Sequence, residues 1–155
     1  MKQASRISQI LTITLNSAFI GAMILIALVL VSFWRSSEPQ VFLDWFTAHS
    51  SKIDRFMFPF GPGVLILATV SFFLNKENKI LWGVTMLLIT ANILYYLIYF
   101  RPTNSSFAAQ SIDIHKVSAE LTTWLNFHWQ RIFFAIGALI TSILAVSRTM
   151  SQSNK

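Results

Sequence analysis

The sequence predicts an all-α integral membrane protein, a four-helix bundle with a short interfacial helix in its first loop. Three observations carry that expectation. Hydrophobic residues make up 54% of the 155 and charged residues only 12%, with a mean hydropathy of +0.58; a soluble domain carries about a quarter charged residues. The apolar residues fall in four long blocks, and a block of ~18 or more reads as a membrane span. No polar interval approaches the ~50 residues that a separate soluble domain needs, so residues 1–155 are read as a single membrane domain.

The first span covers approximately residues 10–34, with Trp34 and Arg35 closing it. Its short basic leader (Lys2, Arg6) resembles a signal peptide, but the apolar stretch exceeds the ~7–15 residues of a signal core and no Ala-x-Ala site follows. An uncleaved span is expected. In the loop from Ser36 to Arg55, the cluster Val41, Phe42, Leu43, Trp45 and Phe46 suits a short helix at the membrane surface, where Trp and Phe are favoured. The second span, 56–74, opens on Pro59, Gly61, Pro62 and Gly63. Proline is tolerated there because first-turn N–H groups lack partners anyway. Asn75-Lys76-Glu77-Asn78-Lys79 is a tight loop that makes spans two and three antiparallel neighbours. The third span, 80–100, is expected to stop at Arg101-Pro102, since the residue before proline resists helix. After a mixed segment that turns helical near Val117, the last span covers 127–147 and ends in a polar tail.

The net charge of +6 and pI near 10.1 do not imply nucleic-acid binding, because the twelve Lys and Arg are scattered and form no stripe. Basic loops beside spans suit lipid headgroups, so the expected partners are membrane lipids. With the N-terminus cytoplasmic, Lys2, Arg6, Lys76, Lys79, Arg148 and Lys155 lie inside. Arg35, Lys52, Arg55, Arg101, Lys116 and Arg131 then lie outside, a tie at six each that tips to six against five if Arg131 belongs to the last span. Both termini are therefore expected in the cytoplasm. Nothing in the sequence sets an oligomeric state. Cysteine is absent, which removes disulfides, Cys-ligated zinc, iron–sulfur clusters and covalently attached haem.

Most spans carry no ionisable residue in their middle, unlike proton pumps and voltage sensors. The exception opens the last span. Trp124, His128 and Arg131 stand at i, i+4 and i+7 and share one helical face, which continues through Ala135, Ala138 and Ser142. Small and polar seams face other helices in membranes, so His128 and Arg131 are expected to look into the bundle. On span three Asn92, Tyr96 and Tyr99 have the same spacing, and Asn104 follows. The end of span three and the start of span four share a membrane side, so Tyr99, Asn104, Trp124, His128 and Arg131 are expected to converge in one pocket. Plainer roles exist for each. Arg131 could snorkel, the Trp and Tyr residues could form an interfacial belt, His128 could be a packing residue, and Asn104 a turn residue.

The stretch Arg101-Pro102-Thr103-Asn104, followed about twenty residues later by Trp124, His128 and Arg131, resembles the anthrone-oxygenase-like family of small four-span membrane proteins. Phe42-Leu43-Asp44-Trp45-Phe46 through Met57-Phe58-Pro59 is similar to a bacterial branch of it, so the likeness runs from about Phe42 to Val146. The resemblance implies oxidation of anthrones to anthraquinones without an obvious cofactor. It places the chemistry on Asn104, Trp124, His128 and Arg131. In that reading His128 is the base, Arg131 and Asn104 stabilise an enolate oxygen, and Trp124 and Tyr99 stack on the substrate rings beside Tyr96 and Asn92. The alternative is a non-catalytic membrane protein that binds a lipid or quinone or assists a partner complex. Haem in the bundle is disfavoured because His49 and His115 lie in loops and His128 stands alone on its span, and no metal site is expected.

Overall fold

The computed structural model describes residues 2–153; Lys155, counted above for orientation, lies outside them. In chain order the helices are α1 (Lys2–Leu25), α2 (Val31–Ser36), α3 (Pro39–Met57), α4 (Phe60–Leu74), α5 (Lys79–Tyr95), α6 (Arg101–Ala108) and α7 (Val117–Ser153). Two π-helical turns, Ile26–Leu30 and Tyr96–Phe100, join α1 to α2 and α5 to α6, and a 3-10 turn at Ile114–Lys116 leads into α7. Four continuous stretches, Gln3–Ser36, Pro39–Leu74, Lys79–Ala108 and Ile114–Thr149, are long and apolar enough to cross a membrane. The fold is an all-α four-helix bundle, and its four apolar helices fit a multi-pass membrane protein. At 30–36 residues each they run roughly 45–54 Å, against a hydrocarbon core of ~30 Å. The bundle therefore outruns the bilayer.

The bundle is a ring in which α1 packs on α4 and α7, and α5 packs on α4 and α7. The α7 seam is fully inside: Leu121, Trp124, His128, Arg131, Ala135, Ala138, Ser142 and Ala145 are all buried, while Phe133, Ile140 and Ile143 face outward. Hydrocarbon surrounds the middle of such a bundle, so burial of apolar surface does not drive its helices together. Close approach over small residues and hydrogen bonds between helices do. Asn16 on α1 makes one such bond, donating Nδ2 to the Ala135 carbonyl at 3.0 Å.

At the end opposite the termini, α2, α3, α6 and the start of α7 form a second storey. Its core is aromatic, with Trp34, Phe42, Phe46, Phe100, Phe107 and Trp124 buried together. Ring centroids there lie 5.0–5.7 Å apart. Where that storey projects into water, each such side chain contributes ~1.5–3 kcal/mol by burial.

Two sequence expectations change here. The segment read as a loop with a short interfacial helix is α3, 19 residues long with Pro39 in its first turn. Its residues Phe42, Leu43, Phe46 and Ser50 are buried against protein. An aromatic cluster at helical spacing fits either surface, and here α6 takes it. The third helix also does not stop at Pro102. The preceding π turn shifts the hydrogen bonding so that the Arg101 N–H donates to the Tyr96 carbonyl. Widening there makes room for a ring that lacks an N–H and would otherwise crowd the carbonyl four residues back. The helix ends at Ala108 instead, in a Schellman motif. Gln110 takes the left-handed conformation at φ 51°, Ser111 N–H donates to Ser106 O at 3.0 Å, and Gln110 N–H to Phe107 O at 3.1 Å. The Gln110 side chain donates to Asp44 at 3.0 Å, tying α6 to α3.

Candidate functional site

A cavity of about 830 Å³, its open side included, lies where the two storeys meet. Both π turns border it, through Ile26 on one side and Tyr96, Leu97 and Phe100 on the other. Such turns rotate the side chains that follow them and recur at functional sites. Trp34, Phe46, Phe100 and Trp124 build an aromatic wall, and the polar groups are Ser50, Asp54, Asn92, Asn104, His128 and Arg131.

Arg131 is 9% exposed. Its Nε donates to Asn92 Oδ1 at 3.2 Å, and Asn92 Nδ2 donates back to the Arg131 carbonyl at 2.8 Å. This reciprocal pair ties α5 to α7 and fixes the plane of the guanidinium. Phe100 lies 4.7 Å and Tyr96 5.7 Å from its central carbon, in cation–π contact. Among the described residues no side chain accepts from its two terminal nitrogens, so the bidentate edge of the fork is free. Asp54 supplies a carboxylate in the same cavity wall.

His128 is 2% exposed. One ring nitrogen, Nε2, lies 2.9 Å from the Met23 carbonyl. A carbonyl only accepts, so Nε2 carries the proton and Nδ1 keeps its lone pair. That Nδ1 is buried and has no partner. The ring is held by stacking on Trp124, with centroids 4.7 Å apart and planes at 18°. Trp124 is fixed in turn by its Nε1–H, which donates to Asn104 Oδ1 at 2.9 Å. Asn104 is therefore set by an indole across the interface between α6 and α7, and its amide N–H groups remain as donors. Position follows position: Asn104 orients Trp124, Trp124 orients His128, and Asn92 orients Arg131.

Of the residues singled out from sequence, Asn92, Tyr96, Asn104, Trp124, His128 and Arg131 line this cavity. Tyr99 does not. Its hydroxyl donates to Glu120 at 2.6 Å and its ring packs on Phe127 at 4.5 Å. The π turn carries Tyr99 off the face that straight helical spacing assigned to it. Sequence reasoning missed Trp34, Phe46, Ser50, Asp54 and Met57 as lining residues. The signal was present: Phe42, Phe46, Ser50, Ile53 and Met57 repeat at helical spacing through the stretch taken for a loop. His49 packs at a tilt on Trp45 with centroids 5.0 Å apart, outside the cavity lining, and His115 is exposed. Among the described residues no three His, Cys, Asp or Glu side chains cluster as a metal site.

The arrangement joins a buried lone pair, a buried cation with free donors and a flat aromatic wall. It can accept a proton from a ligand and hold the negative charge left behind. No protein-family model, curated protein or solved structure matches this chain.

Proposed function

We propose that this chain is a membrane-embedded, cofactor-independent oxygenase of a flat hydrophobic phenol or quinone-like molecule, as its resemblance to the anthrone-oxygenase-like family implies. One observation carries the reading: His128, whose buried Nδ1 has no partner, and Arg131, whose fork keeps a free edge, line the same aromatic cavity. The substrate slots against Trp124 and Phe100. His128 Nδ1 takes a proton from a ring methylene whose carbanion is delocalised onto an adjacent phenolic or keto oxygen. Arg131 and the Asn104 amide hold that enolate oxygen. The carbanion passes an electron to O₂, the two radicals join as a peroxide, and loss of water leaves a carbonyl. In balance, CH₂ and O₂ become C=O and H₂O, so O₂ is the only oxidant required.

The test is oxygen uptake by the protein in lipid nanodiscs supplied with an anthrone, above the background of empty discs. Uptake that falls by ~10²–10⁴ in His128→Gln supports the reading. Ligand binding without uptake sinks the oxygenase and leaves a non-catalytic lipid- or quinone-binding protein.

Both termini are proposed to be cytoplasmic. Arg131 is buried in the bundle, which removes it from the loop count and leaves six basic residues at the terminal end against five at the site end. Single cysteines placed at Gln3 and Ser51 test this by labelling in intact cells. Protection of the first and labelling of the second are expected, and the reverse would invert the orientation.

A further inference from the structure

We propose that the occupant of this cavity carries a hydrocarbon tail, which leaves sideways into the bilayer between α4 and α5. The proposal rests on the cavity being the ligand site argued above.

The cavity has two ways out, and they differ in chemistry. One leads between α3 and α6 into an adjoining space of about 610 Å³, open solvent included, which shares Ser50, Asp54, Tyr96 and Asn104 with the cavity. It continues past Ser51, Arg101 and Ser105. A hydrocarbon chain laid there would strip water from hydroxyls, a carboxylate and a guanidinium and return no hydrogen bond. That mouth suits water, oxygen and the proton taken from substrate.

The other way out is apolar. Phe58 and Leu97 line the cavity, yet they are 61% and 44% exposed on the outer surface of the bundle. The cavity lining thus extends to the lipid-facing surface at these two residues, with Pro62 and Ile93 also in the lining. The backbone explains why it opens there. Towards the termini the helices close tightly: a Cβ on Gly61 would lie 3.2 Å from Ile93 Cγ1. One turn further, the regular α-helical hydrogen bonding lapses at Phe58-Pro59 between α3 and α4, and α5 gives way to the π turn at Tyr96. Both walls lose regular α-helical bonding at this level, where the exposed lining residues lie.

An amphiphile fits this plan at both ends. Its flat head meets the free edge of Arg131 and the lone pair of His128, while its tail passes Leu97 and Phe58 and stays in lipid. Left unfilled, such an opening would expose a buried cation to acyl chains. A tail threading it seals the site. The substrate class is thereby narrowed from any flat phenol or quinone to one with a membrane-resident alkyl or polyprenyl chain.

Photo-crosslinking in nanodiscs tests this. The probe is a 2-methyl-1,4-naphthoquinone whose ring carries an alkyl chain with a diazirine midway along it. The competitor is tailless 2-methyl-1,4-naphthoquinone, whose own binding is followed by quenching of tryptophan fluorescence. Crosslinks within 58–62 and 93–97, suppressed at least tenfold by excess competitor, are expected. Crosslinks at Ser51 or Ser105 would overturn the tail path, as would labelling spread over all outward residues and insensitive to competitor. If the tailless quinone still binds in those cases, the cavity remains a ligand site and only the tail is lost. If it fails to bind at all, the reading beneath falls as well.

Discussion

The two ends of this bundle use buried polar residues in opposite ways. Near the termini they satisfy one another. Ser71 donates to Ser8 at 3.0 Å, Asn75 and Asn78 both donate to Thr149 Oγ1 at 2.9 Å, and Thr85 and Thr141 share a bond of 2.8 Å. These pairs join α4 to α1, the α4–α5 turn to α7, and α5 to α7. At the cavity end polar side chains are fixed equally well, but their fixing bonds leave the reactive edge empty. Arg131 spends Nε on Asn92, and His128 spends Nε2 on Met23. Burying an unpaired polar atom costs ~1–3 kcal/mol, so a lone pair left at a cavity opposes stability. Asn16 Oδ1, Trp34 Nε1 and Trp82 Nε1 are also unpartnered; Trp34 lines the cavity, and the other two residues do not. The comparison separates polar groups that hold helices together from polar groups held ready for something else.

The largest expected effect is at His128. His128→Gln retains a donor for the Met23 carbonyl and removes the basic ring nitrogen, so oxygen uptake should fall by ~10²–10⁴ while thermal stability stays near wild type. A collapse in melting temperature would move His128 into the structural class. Next comes the seam. Ala135 is fully buried beside the Asn16 bond, and Ala135→Leu should destabilise by ~1–3 kcal/mol through overpacking, read by thermal melting in detergent. Thr149→Val removes both asparagine bonds at the far end and leaves two buried amides short of an acceptor, which should cost ~1–3 kcal/mol. Its oxygen uptake should be unchanged, and a loss there would erase the distinction between the two ends. The smallest effect is expected for Leu139→Ile, a swap of equal volume at a half-buried position, whose melting curve should overlay that of wild type.

Much of this was legible in the sequence because membranes simplify the signal. Four apolar blocks gave four spans, and one run of small and polar residues at helical spacing gave the buried face of α7. The pairing of spans two and three followed from the short loop at Asn75–Asn78. What failed was local backbone geometry. Pro102 looked like a stop because the π turn that accommodates it leaves no compositional mark, and the true stop uses Gln110 where glycine is usual. The same π turn moved Tyr99 away from its expected face. α3 was hidden because an amphipathic helix packed on protein and one lying on lipid carry the same residues. Phe46, Ser50, Asp54 and Met57 were missed with it.

The claim that the cavity end serves a ligand and not the fold is tested most directly at Arg131. Arg131→Lys keeps the charge and the ability to reach headgroups but loses the planar fork. Binding of 2-methyl-1,4-naphthoquinone to this variant, measured in nanodiscs by tryptophan quenching beside its melting temperature, gives the answer. Loss of a charge-assisted bond worth ~1.5–3 kcal/mol should weaken binding by roughly tenfold to a hundredfold, with the protein still inserted and destabilised by no more than the ~1–3 kcal/mol of the lost Nε–Asn92 bond. Wild-type affinity in Arg131→Lys would contradict the account and make Arg131 one more residue that holds helices together.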